Sequence, residues 1–293
     1  MQNKNPLISV IINCYNGEKF LKKSIDSVLN QTYQNWEIIF WDNLSQDNSK
    51  KIVKSFSDKR IKYFCTNNFS KLYQARNFAI QKASGEFISF LDVDDWWDNK
   101  KLEKQIQEAL KENCDLVYSN YNIFYESSKR KKIFSKKKLP TGHVTQSLLN
   151  IYEVGILTVL VKKDFFKKKE FDSSYDIIGD FDYFINLSKK IKFGCVQEPL
   201  AYYRLHKDNL STERLQKEKS ELEEWLVKNK TMKNYSLNGV SLRIQALDIK
   251  IELFSGKRVN AIKKIISSKL GFKKIKLFSA SILPIKILKK LIF

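Results

Sequence analysis

The sequence is poor in arginine, glycine and paired cysteine, and each shortage weakens one class of function. Cys14, Cys65, Cys114 and Cys195 stand far apart without a CxxC pair, so neither a zinc site nor a disulfide framework can be predicted. Only seven of the 53 basic residues are arginine, which weakens a role in reading nucleic-acid bases because that depends on the arginine fork. The nine glycines form neither GxGxxG nor GxxxxGK[ST], the usual glycine-rich phosphate loops.

Long apolar runs are also missing. No segment approaches the roughly 20 apolar residues that a transmembrane helix needs, and MQNKNPLISV lacks the apolar core of a signal peptide. We therefore expect a cytoplasmic protein, peripheral at the inner face of the membrane if it meets one. The net charge of +21 predicts an anionic partner: nucleic acid, an anionic membrane or a phosphorylated substrate. A general bias toward lysine would explain part of this charge equally well.

Alternating apolar runs and amphipathic stretches predict an α/β domain with a mostly parallel sheet. Leu7–Ile12 is a continuous apolar run, typical of a strand covered on both faces. Further strands are predicted at 37–41, 61–64, 87–91 and 116–118, and helices near 18–31, 47–56, 71–83, 99–111 and 180–190. KRKKIFSKKK, residues 129–138, is expected to be a mobile loop. We predict a catalytic domain over 1–214 and a helical, lysine-rich C-terminal region over 215–293.

An acidic cluster, SFLDVDDWWDN, directly follows one predicted strand. Carboxylates this close repel one another unless a cation or water surrounds them, so the segment predicts a cation, a cationic ligand or exposure. In open parallel sheets ligands bind at the carboxyl ends of the strands, where Asn13–Asn16, Asp42 and Asp92–Asp95 should converge. Asp94, Asp95 or Asp98 could instead cap the next helix, although a cap needs one carboxylate.

Without a glycine-rich loop, a diphosphate can be neutralised by Mg²⁺ or Mn²⁺, which bind oxygen ligands including one or two carboxylates. Asp92 and Asp94 alternate along an extended segment, so one could reach the ligand and the other the metal.

Four segments, in this order and spacing, resemble family 2 glycosyltransferases with the GT-A (Rossmann-like) fold: SVIINCYNGEKFLKKSIDSVLNQTY, EIIFWDNLSQDNS, ARNFAIQKASGEFISFLDVDD and YYRLHKDNLS. The resemblance implies transfer of a sugar from a nucleotide-diphosphate donor, with inversion and usually Mg²⁺ or Mn²⁺. It implies that Asp42 holds the donor's base, that Arg76 faces the donor, and that Asp92 and Asp94 form the DxD pair at the ribose and the metal. The expected substrate contacts also include Asn13, Tyr15 and Asn16.

The resemblance further implies a catalytic Asp at the start of a later helix, and IGDFDYFINLSKK puts Asp180 in that role, with Asp182 as an alternative that would otherwise contact substrate. A carboxylate there can take the proton of the acceptor hydroxyl. Alternatively, Asp180 is a helix N-cap and Asp182 a surface residue. The sequence departs from the family at Leu44, where Gly or Ser is usual, at Gly179, where Glu is usual, and at Asn186, where Arg is common.

Two more side chains have both a functional and a structural interpretation. His206 could approach the metal or the diphosphate, although a lone histidine is more often structural. Trp96, with Trp97, could form an apolar platform for the acceptor sugar or pack in the core.

Three functions compete. The leading one is a glycosyltransferase of cell-surface polysaccharide biosynthesis, with a UDP-sugar donor, a glycan or lipid-linked acceptor and no nucleic-acid partner. The second is a non-enzymatic protein that binds anionic polymers and has a structural cation site. The third is a metal-dependent phosphohydrolase, which is disfavoured because His143 and His206 are the only histidines.

The last segment, Lys257–Phe293, contains eleven basic and no acidic residues. Apolar residues recur at helical spacing, as at Ile262, Ile265 and Ile266, with lysines beside them. This pattern predicts helices, divided at Pro284, that lie on an anionic membrane surface. Alternatively, the apolar faces pack on protein.

Overall fold

The computed structural model describes residues 5–206, 214–271 and 273–282. These residues form two compact units. The first contains the described chain up to Thr145 together with Glu153–Arg204, and the second contains Gln146–Tyr152 and the described residues from Leu205 onward. The predicted division into domains after Arg214 stays a prediction.

Four parallel strands form one half of the central sheet of the first unit. They are β1 (Ile8–Cys14), β2 (Trp36–Asp42), β3 (Ile61–Cys65) and β4 (Phe87–Phe90), in the spatial order β3-β2-β1-β4. Every residue of β1, β2 and β4 is buried, as expected for parallel strands covered on both faces. The carboxyl ends of these strands lie at one edge of the sheet, where the predicted site residues follow.

The sheet also contains β5 (Trp96–Trp97), β6 (Leu116–Tyr125), β7 (Arg130–Ile133), β8 (Leu160–Lys162) and β9 (Phe193–Leu205). Beyond β4 it continues in the order β4-β8-β6-β9-β5, in which β8 pairs antiparallel with β4 and β6, and β5 pairs antiparallel with β9. β7 pairs with β6 as a hairpin, so the prediction of a mobile loop at this basic segment is wrong for Arg130–Ile133. This segment forms a strand because it pairs with β6, and such pairing cannot be predicted from its charged residues. The predicted α/β class is confirmed.

The helices up to residue 188 are α1 (Glu18–Leu29), α2 (Ser49–Lys54), α3 (Leu72–Lys82), α4 (Lys101–Lys111), α5 (Thr145–Asn150), α6 (Asp164–Lys168) and α7 (Gly179–Ser188). Of these, α1, α2, α3, α4 and α7 lie close to the predicted positions, whereas α5 and α6 were not predicted. The helix α1 buries Leu21, Ile25 and Val28, which belong to the predicted apolar stripe. The observed helices are shorter than predicted mainly at their ends, where apolar periodicity gives no boundary.

The second unit is helical where it is described. Besides most of α5, it contains α8 (Leu215–Lys228), α9 (Asn238–Phe254), α10 (Arg258–Ser267) and α11 (Lys273–Ile282). Ala261 and Ile265 of α10 pack with Ile249 and Leu253 of α9 in a small apolar core. Within residues 5–206, 214–271 and 273–282, no helix combines the length and the apolar character that spanning a membrane requires. Pro284 and the apolar pattern after it lie outside the described residues.

Candidate active site

Three loops meet at the carboxyl edge of the parallel strands. The loop after β1 contacts the loop after β2, because the Asn43 N–H donates to the Cys14 carbonyl oxygen at 2.8 Å and the Asn16 N–H donates to Ser45 Oγ at 3.0 Å. It also contacts the acidic loop after β4: a Cβ at Gly17 would lie 3.0 Å from Val93 Cγ2 and 2.9 Å from Cys14 Sγ. The structure therefore brings together the three polar groups that the sequence predicted to converge.

Asp42, at the end of β2, is almost fully buried, with 1% of its surface exposed. Its Oδ1 accepts a hydrogen bond from the Ser45 N–H at 2.8 Å, and its Oδ2 accepts one from the Tyr63 hydroxyl at 2.7 Å. Burial, and then the neighbouring Asp42, raise the pKa of Tyr63, so the phenol stays a donor. These two hydrogen bonds therefore fix the orientation of the Asp42 carboxylate at the end of β2.

Polar and aromatic side chains surround the loop after β1. Asn13 is buried, and its amide Nδ2 has no hydrogen-bond partner within the part of the chain that the structure describes. A buried amide donor without a partner is costly unless a ligand or water meets it. Tyr15 is exposed and contacts Phe69 edge-on, with 5.0 Å between ring centroids. Asn16 and Leu44 both have a positive φ, of 53° and 68° respectively. The Asn16 Oδ1 atom accepts a hydrogen bond from the Gln46 N–H.

Arg76 projects from α3 to the acidic loop. Its guanidinium is 3% exposed and donates to both carboxylate oxygens of Asp92, at 2.7 and 3.0 Å. Burial lowers the pKa of Arg76, but the charge and hydrogen bonds of Asp92, together with other neighbours that include Asp180, raise it overall. Arg76 therefore supplies a buried positive charge next to the acidic cluster, as the sequence predicted. The Asp92 side chain remains 35% exposed.

Asp95 and Arg204 fasten the acidic loop to β9. Asp95 is 2% exposed, and its Oδ1 accepts the Arg204 N–H at 2.7 Å. Burial, followed by the charges of Asp94 and Asp92, raises the pKa of Asp95 well above its ordinary value. The Arg204 guanidinium donates to the Asp94 carbonyl oxygen at 2.6 Å and to Glu126. Sequence reasoning missed this role of Arg204, although the residue lies inside the YYRLHKDNLS segment.

Asp180 lies in the first turn of α7, which begins at Gly179, so Asp180 is not the N-cap residue. Its Oδ1 lies 3.0 Å from the hydroxyl of Tyr73, a residue of α3. The same helix carries Arg76, whose guanidinium is 5.2 Å from the centre of the Tyr73 ring. Asp180 is therefore connected through Tyr73 and Arg76 to Asp92, and sequence analysis had not singled out Tyr73.

Asp182 is buried rather than a surface residue. Its Oδ1 accepts a hydrogen bond from Asn186 Nδ2 at 2.9 Å, and its Oδ2 pairs with Lys169 at 3.3 Å. Asn186, where the family commonly has Arg, thus contacts Asp182 within the same helix. These contacts tie Asp182 to the fold around α7.

Trp96 is half-buried in an aromatic and cationic cluster. Its ring stacks on Tyr202 with 4.9 Å between centroids, and Lys23 Nζ lies 3.4 Å from its centre. Its role as an acceptor contact stays a prediction.

His206 directly follows β9, is half-buried and belongs to the second unit. Its role as a metal ligand stays a prediction. Just before α4, Asp98 Oδ1 accepts the N–H of Lys100 at 3.0 Å, and Lys100 rather than Asp98 is the N-cap residue of the helix.

The carboxylates of the acidic loop suit a Mg²⁺ or Mn²⁺ ion that shares its ligands with a diphosphate. In the described ranges no three His, Cys, Asp or Glu side chains cluster so as to hold an ion by themselves. Such ions are commonly held by one or two carboxylates and by substrate phosphates. Asp95 is buried, whereas Asp92 and Asp94 are half-buried and follow each other along the loop. The donor set therefore fits an ion that binds together with a diphosphate.

Comparison with known proteins agrees with this geometry. Residues 9–166 match the family Glycosyl transferase family 2. A UDP-Glc:alpha-D-GlcNAc-diphosphoundecaprenol beta-1,3-glucosyltransferase, WfgD of Escherichia coli, is 40% identical over 183 residues, which are 62% of this chain and 69% of the relative. The putative teichuronic acid biosynthesis glycosyltransferase TuaG of Bacillus subtilis is 30% identical over 168 residues, 56% of this chain and 65% of TuaG.

Solved structures share the fold at low identity. TarS of S. aureus in complex with UDP-GlcNAc superposes with a TM-score of 0.60 at 16% identity, covering 75% of this chain and 66% of that one. The mannosyltransferase PcManGT of Pyrobaculum calidifontis, in complex with GDP-Man and Mn²⁺, has a TM-score of 0.57 at 14% identity and covers 74% and 62%. With the family match extending over more than half of its length, the chain belongs to glycosyl transferase family 2.

Proposed function

We propose that the protein transfers a sugar from a UDP-sugar to a lipid-linked diphosphate acceptor, as one step in building a cell-surface polysaccharide. The observation that carries the proposal is that the loops bearing Asp42 and Asp92 both contact the loop after β1, while α3 joins Asp92 through Arg76 and Asp180 through Tyr73. The names of the relatives support the choice of substrates, because WfgD and WfaP of Escherichia coli are both UDP-Glc:alpha-D-GlcNAc-diphosphoundecaprenol glucosyltransferases.

Each part of the site has a role in this proposal. Asp42, Asn13 and Tyr15 contact the nucleotide base, where the Asn13 amide supplies a hydrogen-bond donor to a base carbonyl. Asn16 shapes the loop beside them. Arg76 holds Asp92 toward the ribose, and Asp94 would hold Mg²⁺ or Mn²⁺. When bound, the ion would supply positive charge to the diphosphate as it leaves.

The chemical step is a single displacement. Asp180 accepts the proton of the acceptor hydroxyl while the acceptor oxygen forms its bond to the anomeric carbon. The bond between that carbon and the diphosphate oxygen breaks on the opposite face, and the electron pair leaves with UDP. Attack opposite to the leaving group inverts the configuration at the anomeric carbon.

We also propose that the protein works as a peripheral protein at the cytoplasmic face of the inner membrane. A lipid-linked acceptor would be presented at that surface, and the net charge of +21 favours an anionic leaflet. The alternative of a non-enzymatic protein that binds anionic polymers lacks a comparable supporting observation.

A donor screen with Mn²⁺ tests the function. UDP-glucose, UDP-GlcNAc and GDP-mannose are compared by the melting temperature of the protein and by nucleotide release, with and without a GlcNAc-diphosphate-lipid acceptor. We expect a UDP-sugar to raise the melting temperature and to turn over only with acceptor. Tight, salt-sensitive binding to nucleic acid without any donor turnover would instead favour the polymer-binding protein.

Substitutions in the acidic loop test the ion. Asp92→Asn and Asp94→Asn are expected to abolish turnover, and EDTA should do the same reversibly. Asp98→Asn is the matched control, because Asp98 belongs to the same acidic segment but accepts the Lys100 N–H just before α4. Full activity in EDTA would remove the metal from the proposal.

A further inference from the structure

Tyr73 contacts the proposed base from the neighbouring helix α3. Its phenol oxygen lies 3.0 Å from Asp180 Oδ1 and 2.8 Å from the carbonyl oxygen of Ile177. Both neighbours are acceptors when Asp180 is ionised, so the phenol donates its single proton between them. Burial, and then the charge of Asp180, raise the pKa of Tyr73 well above its ordinary value. The hydroxyl therefore stays protonated and available to the carboxylate.

The Tyr73 ring has little freedom to move. It is 2% exposed and packs against Phe171, with 5.5 Å between ring centroids. One turn later, Asn77 exchanges two hydrogen bonds with the backbone of Phe171, at 2.9 and 3.1 Å. Phe171 in turn contacts Tyr183 of α7, with 4.7 Å between ring centroids, so these contacts fix the Tyr73 ring relative to that helix.

The close approach of Tyr73 also explains why residue 179 is glycine. A Cβ at Gly179 would lie 2.6–2.7 Å from three carbons of the Tyr73 ring, which is far inside van der Waals contact. The ring thus occupies the space in which a side chain at 179, such as the glutamate usual in the family, would begin. Gly179 and Tyr73 form one packing unit beside Asp180.

We propose that Tyr73 is a positioning residue for the reaction: its hydroxyl holds Oδ1 of Asp180, orients the carboxylate and favours the ionised form that accepts a proton. This inference rests on the proposed role of Asp180 as the general base. A hydrogen bond to an ionised carboxylate lowers the pKa of that carboxylate. Without the hydroxyl, the pKa of Asp180 rises, and the acidic limb of the rate profile moves to higher pH.

Tyr73→Phe tests the inference because it removes the hydroxyl and keeps the ring against Gly179 and Phe171. With UDP-glucose, Mn²⁺ and the lipid acceptor, we expect kcat to fall roughly tenfold or more, the rate equivalent of a hydrogen bond to a charged group. The acidic limb of kcat should move to higher pH. Tyr118→Phe is the matched control, since this buried phenol donates to the Pro140 carbonyl oxygen at 2.6 Å, and neither change is expected there.

A second variant tests the packing unit. Gly179→Ala should displace the ring and its hydroxyl, so kcat should fall even though Tyr73 is present. Adding Tyr73→Phe to Gly179→Ala should then cost little more, because the hydroxyl is already misplaced. If the losses of kcat in Tyr73→Phe and Gly179→Ala add fully in the double variant, and circular dichroism shows that all three variants are folded, then Gly179 and Tyr73 do not act as one packing unit.

A titration that needs no turnover separates this inference from the proposed function. Carbon-13 NMR of aspartate-labelled protein follows the Asp180 carboxyl, identified by its loss in Asp180→Asn. The carboxyl should titrate at higher pH in Tyr73→Phe than in the wild type. If Asp180→Asn is inactive but the titration is unchanged in Tyr73→Phe, the positioning role is wrong and the base assignment stands. If Asp180→Asn is fully active, the base assignment is wrong, and so is catalytic positioning by Tyr73.

Discussion

At the scale of single residues, the acidic side chains around the site differ in how deeply they are buried and in what holds them. Asp42 and Asp95 are almost fully buried and receive hydrogen bonds from neighbouring backbone N–H groups. Asp92, Asp94 and Asp180 are half-buried. A buried carboxylate without partners would cost several kcal/mol, so the buried ones must be matched by donors in the chain.

The first prediction concerns the base. Asp180→Asn should lower kcat by about 10²-fold or more, because an amide cannot take the proton of the acceptor hydroxyl. Donor binding, measured as the rise in melting temperature with UDP-glucose and Mn²⁺, should persist. Asp182→Asn is the control, since Asp182 is engaged with Asn186 and Lys169. A silent Asp180→Asn together with an inactive Asp182→Asn would move the base to residue 182.

The second prediction concerns Glu37, a buried carboxylate of β2. It accepts hydrogen bonds from Ser9 Oγ and the Ser84 N–H, both at 2.6 Å, and pairs with Lys62. Burial alone would raise the pKa of Glu37, but the bonds from Lys62, Ser9 and Ser84 together lower it. Because this pKa is lower in the folded state, the Glu37 carboxylate stabilises the fold at pH values above its unfolded pKa of about 4.3. This stabilisation is lost as the pH falls through the folded pKa.

Glu37→Gln should therefore reduce the free energy of unfolding by about 1–3 kcal/mol at pH 7 and by less at pH 3. Urea unfolding at both pH values measures this difference. Glu86→Gln, at an exposed position just before β4, should change stability little at either pH. An equal loss for Glu37→Gln at pH 7 and pH 3 would show that its charge does not contribute.

At the scale of elements, the acidic loop is held by β9 as well as by the strand that precedes it. The hydrogen bonds of Arg204 to Asp94 and Asp95 cross from β9 to this loop. The Arg204 guanidinium also lies 4.3 Å from the centre of the Phe20 ring of α1 and 4.6 Å from that of Trp96. One arginine thus joins a helix, a strand and the loop that carries Asp92 and Asp94.

The third prediction follows from this arrangement. Arg204→Lys should lower the melting temperature by roughly 4 °C or more and weaken the stabilisation by UDP-glucose with Mn²⁺, because an ammonium cannot reproduce the guanidinium geometry. Arg130→Lys, on the exposed hairpin strand β7, is the control and should change neither quantity. Wild-type donor stabilisation in Arg204→Lys would show that the loop keeps its shape without this arginine.

At the scale of the whole molecule, the charge of +21 combines with exposed apolar side chains of the second unit. On α10, Ala261 and Ile265 are buried against α9, whereas Val259 and Ile266 are each 67% exposed. Lys264 is paired with Asp248 and Glu252, so it contributes less free charge than Lys263, which is exposed. The predicted apolar face of this segment is thus divided between packing on protein and exposure.

The fourth prediction tests the proposed membrane surface at these exposed positions. Val259→Ser with Ile266→Ser should reduce sedimentation with phosphatidylglycerol vesicles at low salt, because less apolar area enters the interface. High salt should weaken wild-type binding, since each lysine contributes only about 1 kcal/mol before screening. Val227→Ser, at an exposed apolar position of α8, is the control. Equal sedimentation of the double variant and the wild type would exclude α10 as the anchor.

The sequence by itself determined the class of fold and the family. Apolar runs and helical stripes are local patterns, and they located β1, β2, α1 and α4 because burial acts on each segment separately. The same strand pattern placed Asp42 and Asp92–Asp95 at strand ends, where the structure brings their loops together, and the four motif segments pointed to the family. Local pattern failed at the basic hairpin, where charge suggested a loop and pairing with β6 made a strand.

Tertiary structure alone decided which partners these residues have. Tyr73 meets Asp180 across 107 positions of the chain, and Arg204 meets Asp94 across 110. Neither pair leaves a periodic signal, because contacts between distant segments depend on how the sheet places α3, α7 and β9. The same packing explains Gly179, which in the sequence is only a departure from the family and in the structure leaves room for the Tyr73 ring. Residue types fixed the available chemistry, and long-range packing fixed which of these groups lie together.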